Sequence, residues 1–219
     1  MRFLVIGGSG RTGQLTIAEL LRRGHKVTAL VRKPSSMEDK TGLKLVQGTP
    51  TKIDDVRVAF QFDVPDGVIV TLSAPRASDS PFAAPTSPPR LMADCNANVV
   101  AVMKEYGVKK VVILQAFGVG ESWKNMNCAL QLLMKKSNMI YQYDDHNLTD
   151  REVRASGVDF VLVRPSRLVD TDVQEVKLWP HDGKGVPMMA STSRVSVARW
   201  LVDAAERNKW DNTAPVITN

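Results

Sequence analysis

Continuous apolar runs punctuate this chain: Phe3 to Ile6, Val27 to Val31, Leu43 to Val46, Gly67 to Leu72, Lys110 to Leu114 and Val158 to Val163. Each is short enough for a strand. Except in the short Leu43 to Val46 stretch, which Lys44 interrupts, they do not alternate with polar residues, so they predict strands covered on both faces. Between them the spacing turns helical. Thr16 to Arg23 is amphipathic, and Asp54 to Phe60 begins a helix with Asp54 or Asp55 as its cap. Met92, Cys95, Val99, Met103 and Tyr106 mark one face of a third helix, and Asp144 to Ser156 and Val195 to Arg207 read as two more. Pro215 to Thr218 predicts a last edge strand. Ser73 to Arg90 is rich in Pro, Ser and Ala and predicts a long loop, while Phe117 to Tyr143 has no clean period. Strand and helix in alternation predict an α/β fold with a doubly wound parallel sheet and helices on both faces. The 219 residues, 43% hydrophobic, suit a single domain over 1–219.

The first strand stops at Gly7-x-x-Gly10-x-x-Gly13 and opens into the first helix. Strand, glycine turn, helix and strand in that order form the dinucleotide-binding fingerprint of a Rossmann-type sheet. Gly7 serves the tight turn, Gly10 lets backbone approach a pyrophosphate, and Gly13 lets helix and strand pack closely. The helix N-terminus then offers free N–H groups to phosphate. A nucleotide triphosphate loop would need Lys and a hydroxyl residue after its last glycine, where Gln14-Leu15 stand. The second strand ends in Arg32-Lys33, not in the acidic residue that binds a ribose 2′-hydroxyl. With Arg11 nearby, these cations predict NADP(H). One charge-assisted hydrogen bond of roughly 1.5–3 kcal/mol gives about ten- to a hundred-fold preference over NAD(H).

Net charge is +6, but the basic residues are scattered pairs interleaved with acids, which predicts a solvated surface and an anionic small-molecule ligand, not nucleic acid. No segment approaches the ~20 apolar residues of a membrane span. Cys95 and Cys128 have no metal or redox spacing, and the apolar N-terminal stretch is too short for a signal peptide. The expectation is a cytoplasmic protein with reduced thiols, no metal, a small-molecule substrate and a monomeric state. Ligands of such sheets lie beyond the strands' carboxyl ends, here the loops after Ile6, Val31, Leu72, Leu114 and Val163. Tyr106-x-x-x-Lys110 matches a reductase signature by letters, yet it lies where a helix enters a strand, at the opposite edge of the sheet. His146 is the titratable candidate acid. His25 reads as a complement to a helix C-terminus, and His181 as exposed in a polar turn.

Gly7-Gly8-Ser9-Gly10-Arg11-Thr12-Gly13, Leu30-Val31-Arg32, Gly107-Val108-x-Lys110-Val111-Val112, Asp144-Asp145-His146 and Ser156-Gly157-Val158, in that order, resemble the NAD(P)H-binding, NmrA-like branch of the atypical short-chain dehydrogenases/reductases. The resemblance implies that Gly7, Ser9, Gly10, Arg11, Thr12 and Gly13 hold the pyrophosphate and Arg32, with Lys33, the 2′-phosphate. It places Leu72 and Ser73 at a ribose, Gln115, Ala116 and Phe117 at the nicotinamide and substrate, and His146 and Arg167 in the site. Trp123 is a further candidate for an aromatic-substrate wall. Gln115 stands where the relatives have Ser, and Arg167 where they have a second His. Gln donates an amide hydrogen but no titrating proton. Thr49 follows Gly48 where the group has Asp near the adenine. The implied activity is reduction of a flat conjugated acceptor by NADPH, with His146 and Gln115 as the catalytic candidates. Two alternatives stay open: an NADP(H)-sensing binding protein, and an isomerase or cyclase that uses His146 as acid and base.

Overall fold

A computed structural model describes the whole chain, Met1–Asn219. The apolar runs become β1 (Arg2–Ile6), β2 (Lys26–Val31), β3 (Leu43–Gln47), β4 (Gly67–Val70), β5 (Lys110–Leu114) and β6 (Asp159–Pro165). They join in the order β3-β2-β1-β4-β5-β6, every pairing parallel. Successive side chains of one strand enter opposite cores. Leu4, Ile6, Val68, Val70, Val111 and Ile113 pack under α2 (Ile53–Phe62), α3 (Leu91–Glu105) and α5 (Met139–Arg154). Phe3, Val5, Ile69, Val112 and Leu114 pack under α1 (Arg11–Arg22) and α6 (Arg194–Glu206). Both faces are covered, as the unbroken apolar runs require. The Rossmann-type doubly wound sheet expected from the sequence is the fold.

The far edge differs from expectation. Pro215 to Thr218 does supply β10 (Val216–Thr218), but it lies inside the sheet, parallel to β6. The edge is β8 (Lys177–Trp179), antiparallel to β10. Two further three-residue strands, β7 (Arg167–Val169) and β9 (Ser191–Ser193), pair beside it. Strands this short carry no readable period. The unassigned stretch from Phe117 to Tyr143 resolves into a 3₁₀ turn (Gly120–Asn125), α4 (Cys128–Lys136) and the first turn of α5.

Three helix starts also move. α1 begins at Arg11 and not at Thr16, directly on the glycine turn. α2 takes no cap from Asp54 or Asp55: its N-cap is Lys52, without a side-chain bond, and Asp55 instead accepts from the Thr49 amide at 2.8 Å. α5 begins at Met139, so His146 lies two turns into the helix and not at its N-terminus. The 73–90 segment is the expected loop, folded back on itself through an antiparallel bridge between Arg76 and Pro85. The chain runs β1-β2-β3 in one direction and then returns to β4 on the other side of β1. The order therefore reverses between β1 and β4, and the crevice at their carboxyl ends is where such sheets bind ligands.

Candidate functional site

The crevice is floored by the glycine turn. Gly7 has φ +85, and a Cβ there would lie 2.9 Å from the Thr71 carbonyl carbon. The Gly10 amide donates to the Gly7 carbonyl at 3.0 Å, closing the turn. A Cβ on Gly13 would sit 2.2 Å from the Gly7 oxygen, which is inside any tolerable contact. The first helical bond of α1 is Gln14 N–H to Gly10 O, and no side chain caps the helix. The amides of Arg11, Thr12 and Gly13 are therefore left for an anion. Thr71, just past β4, locks this turn: its hydroxyl lies 3.2 Å from the Ile6 oxygen and 3.1 Å from the Gly7 oxygen. No local signal in the sequence marks Thr71, because its role depends on β4 lying beside β1.

Arg32 and Lys33 follow β2 with exposed side chains, and neither engages a carboxylate. Ser9 is exposed at the turn, and Thr12 is buried. Arg11 is already engaged: it stands 3.7 Å from Asp79 in the 73–90 loop and 3.7 Å from Asp170 beyond β7. These exposed pairs are worth at most about 1 kcal/mol, so an incoming phosphate can displace them. Leu72 and Ser73 lie at the end of β4, Leu72 half-buried and Ser73 open.

Gln115 is the first residue past β5. Its amide nitrogen donates to the Val163 carbonyl at 2.7 Å, so the ladder with β6 continues through it. The side chain is 4% exposed, and neither its Nε2 nor its Oε1 has a partner. Ala116 and Phe117 continue outward, both half-buried. Phe117 N–H bonds the Pro165 carbonyl at 2.9 Å, and its carbonyl accepts from the Tyr143 hydroxyl at 3.0 Å. The Phe117 ring lies against Gly183, where a Cβ would come within 2.3 Å of it. Trp123 meets Tyr143 edge-on at 6.0 Å, in a cluster with Val119 and Met126. Arg167 is exposed just past β6 with no ion-pair partner. The segments after β1, β2, β4, β5 and β6 thus gather the expected residues at one edge of the sheet.

His146 comes from α5, on the same helix face as Gln142 one turn earlier, which donates to the Ala74 carbonyl at the base of the 73–90 loop. Burial pushes the His146 pKa down from 6.5 to about 4. At pH 7 the ring is neutral, so a proton passing through it must leave as N–H and return from solvent. The Tyr143 phenol is no alternative, since burial raises its pKa to about 12 and its hydrogen is given to Phe117. The depressed histidine also makes stability depend on pH. Between pH 6.5 and pH 4 the unfolded chain binds a proton that the folded chain refuses, so stability present above pH 6.5 is lost as pH falls. Because His146 is half-buried and not sealed, wild-type protein should lose on the order of 1–3 kcal/mol more than His146→Leu between pH 7 and pH 4 in urea titrations. Parallel pH curves for the two proteins would remove the assigned burial.

The sequence also concealed Asp145. Its buried carboxylate accepts from the Met92 and Ala93 amides at 2.8 and 2.9 Å, capping α3 from a neighbouring helix. The Tyr106/Lys110 pair is at the other edge, as expected. Tyr106 ends α3 against Phe60, and Lys110 Nζ bonds the Arg207 carbonyl and Asp211, each at 2.6 Å. Arg164 is structural: fully buried, it meets Asp150 at 2.6 Å and Glu121 at 3.1 Å. His25 bonds Glu206 at 2.6 Å, and His181 is exposed. No three His, Cys, Asp or Glu side chains form a metal cluster, and no helix is long and apolar enough to cross a membrane. A groove of about 290 Å³ between the outer faces of α3 and α5, lined by Ala97, Ala101 and Glu152, is separate from this crevice.

A glycine cradle at the switch point of a doubly wound sheet defines a Rossmann-type nucleotide-binding protein. Residues 7–208 match the family described as NAD(P)H-binding, and the chain belongs to that family. It is 24% identical to Reductase pytE of Aspergillus terreus over 95% of each chain. Its structure is similar to ChuY, an anaerobilin reductase from Escherichia coli, with TM-score 0.76, 15% identity, and 99% and 96% of the two chains covered. It is also similar to a wide-type short-chain dehydrogenase/reductase from Veillonella parvula in complex with NADP, with TM-score 0.77, 14% identity, and 100% and 94% covered. The cradle fits the family's nucleotide: the uncapped α1 amides suit its pyrophosphate, and the space a Cβ would fill at Gly7 and Gly13 is taken by backbone.

Proposed function

We propose that this protein is an NADPH-dependent reductase of small, flat, conjugated acceptors of the flavin, quinone or enone type, acting as one domain. The observation that supports this most is the open glycine turn at the β1/β4 crevice with the unpaired Arg32 guanidinium at the end of the next strand. The order of motifs, similar to that of biliverdin reductase B, favours the same reading, as do the relatives described as reductases. Gly7, Ser9, Gly10, Arg11, Thr12 and Gly13 hold the pyrophosphate, Arg32 and Lys33 the 2′-phosphate, and Leu72, Ser73 and Ala116 the riboses and ring. The bound nicotinamide supplies the hydride. Phe117 and Trp123 give the acceptor an aromatic wall, Arg167 pairs with an acidic group on it, and Gln115 orients it. His146 relays a solvent proton as a neutral ring.

Arg32→Ala should weaken NADPH about ten- to a hundred-fold and leave NADH within about twofold, since one charge-assisted contact is lost and only to the phosphorylated ribose. Equal losses for the two nucleotides would remove Arg32 from the 2′-phosphate. The activity itself is tested by mixing protein and NADPH with flavins, quinones and enones and following nicotinamide absorbance. Acceptor-dependent oxidation supports a reductase. A depressed His146 and a Tyr106/Lys110 pair that lies at the other edge of the sheet favour one second reading, an NADP(H) sensor, which tight binding without turnover on any acceptor would support. Product rearrangement without nucleotide oxidation would point to an isomerase.

A further inference from the structure

Gln115 poses a problem that the fold does not solve. The β5–β6 ladder continues through its backbone, so its side chain follows the strand's alternation. Val111 and Ile113 pack on the α3/α5 face and Leu114 on the other, which puts Gln115 on the α3/α5 face. There its carboxamide is sealed, with donor and acceptor both unpaired. Native proteins rarely leave even one such atom unpaired, because each was hydrogen-bonded to water in the unfolded chain. A leucine would fill the same volume without that loss. The position is also one residue from the strand end at which this fold binds ligands.

A side-chain carboxamide holds N–H donors and a carbonyl acceptor in one plane. One group satisfies both at once: a planar edge with N–H beside C=O. We propose that Gln115 is the receptor for such a cis-amide edge, with which it forms a paired donor–acceptor contact, and so selects carboxamide, lactam or imide ligands over plain ketones and quinones. The proposal rests on the nucleotide-binding reading above and deepens it. A lone carbonyl would accept from Nε2 and leave Oε1 unpaired, so it recovers only half of the loss. Two ligands present this edge at such a site: the carboxamide of the nicotinamide ring, and the lactam or imide edge of an acceptor. Because the carboxamide is sealed in this arrangement, a rotation about the Gln115 side-chain torsions accompanies binding.

Gln115→Leu tests the proposal without needing turnover. Its melting temperature should rise, because two unpaired atoms are removed. For the nicotinamide source, NADP+ affinity falls about ten- to a hundred-fold, the worth of two neutral hydrogen bonds. The 3-acetylpyridine analogue of NADP+, whose methyl replaces the amide nitrogen, keeps one of the two bonds and then binds wild type only about threefold more tightly than the variant. For the acceptor source, NADP+ affinity is unchanged, and the imide-bearing lumichrome binds the NADP+ complex about ten- to a hundred-fold more weakly. Menadione, which has carbonyls and no N–H, loses only about threefold, the worth of one bond. Adenosine 2′,5′-bisphosphate, which lacks the nicotinamide, should bind both proteins equally. A variant that gains stability and keeps wild-type affinity for NADP+ and lumichrome would overturn the proposal and leave the nucleotide site standing. Failure of the bisphosphate and NADP+ to bind wild type would overturn the nucleotide site itself, and this proposal with it.

Discussion

Gly13→Ala should abolish nucleotide binding. The added Cβ would stand 2.2 Å from the Gly7 oxygen, 2.9 Å from the Gly8 Cα and 2.9 Å from the Thr71 hydroxyl. Two of these three neighbours are backbone and cannot swing aside. The Gly7 carbonyl is further held by the Gly10 amide and by Thr71. The strain can be relieved only by lifting α1 off β1, which Ile17 and Leu20 in the core resist. Overpacking of this kind costs about 1–3 kcal/mol of stability. The loss in binding should be larger, because the Arg11, Thr12 and Gly13 amides move with the helix away from the place where a phosphate would lie. We expect NADP+ affinity to fall at least about a hundred-fold, the equivalent of about 2.7 kcal/mol. Calorimetric titration would measure it, and an affinity within threefold of wild type would mean that the turn does not carry the nucleotide.

Arg164→Met should be strongly destabilising. The guanidinium is fully buried and joins three separate segments: Asp150 of α5 at 2.6 Å, Glu121 of the 3₁₀ turn at 3.1 Å, and the His181 carbonyl at 3.3 Å. Methionine fills much of the volume but leaves the buried Asp150 carboxylate with Arg154 as its one remaining ion partner. Breaking a buried pair on one side costs about 3–5 kcal/mol, against about 5–15 kcal/mol of total stability for a domain. Retention of the Arg154 contact puts the expected loss near the lower end, about 3 kcal/mol in urea unfolding. Asp150→Leu added to Arg164→Met should restore part of it, since the stranded charge is then gone. A single-variant loss under about 1 kcal/mol would contradict the assignment of Arg164 as a structural tie.

What was legible in the chain is what local physics controls. The β1–α1–β2 unit could be read because three glycines, an apolar run and two terminal cations are neighbours in sequence. The central strands could be read because burial on both faces removes polar residues from them. α1 starts earlier than the apolar pattern predicts, since Gly13 and Thr12 break that pattern while their backbone is already helical. α5 likewise starts before the predicted Asp144, because its first turn carries Tyr141 and Gln142 and no side-chain cap. α4 buries none of its residues fully, so its apolar positions never formed a periodic face. β7, β8 and β9 are three residues each, and pairing, not pattern, makes them strands. The missed residues share one cause. Thr71 acts on Gly7 across sixty-four positions, and Asp145 on Met92 across fifty-three, so neither leaves a mark within its own neighbourhood. The glycine turn, Arg32, Leu72, Gln115 and Arg167 lie at strand ends because the doubly wound topology directs loops there, whereas His146 and Trp123 lie on a helix and in a 3₁₀ turn, and no periodicity shows that the Gln115 amide is unpaired.

The most direct measurement is hydrogen exchange along the backbone with and without saturating NADP+. If a phosphorylated dinucleotide occupies the crevice, the amides of Arg11, Thr12 and Gly13 and the segment from Arg32 to Ser36 become protected on adding NADP+. NAD+ then protects the glycine turn but not the segment after β2. Unchanged exchange at the glycine turn in millimolar NADP+, or protection confined to the groove between α3 and α5, would contradict the account.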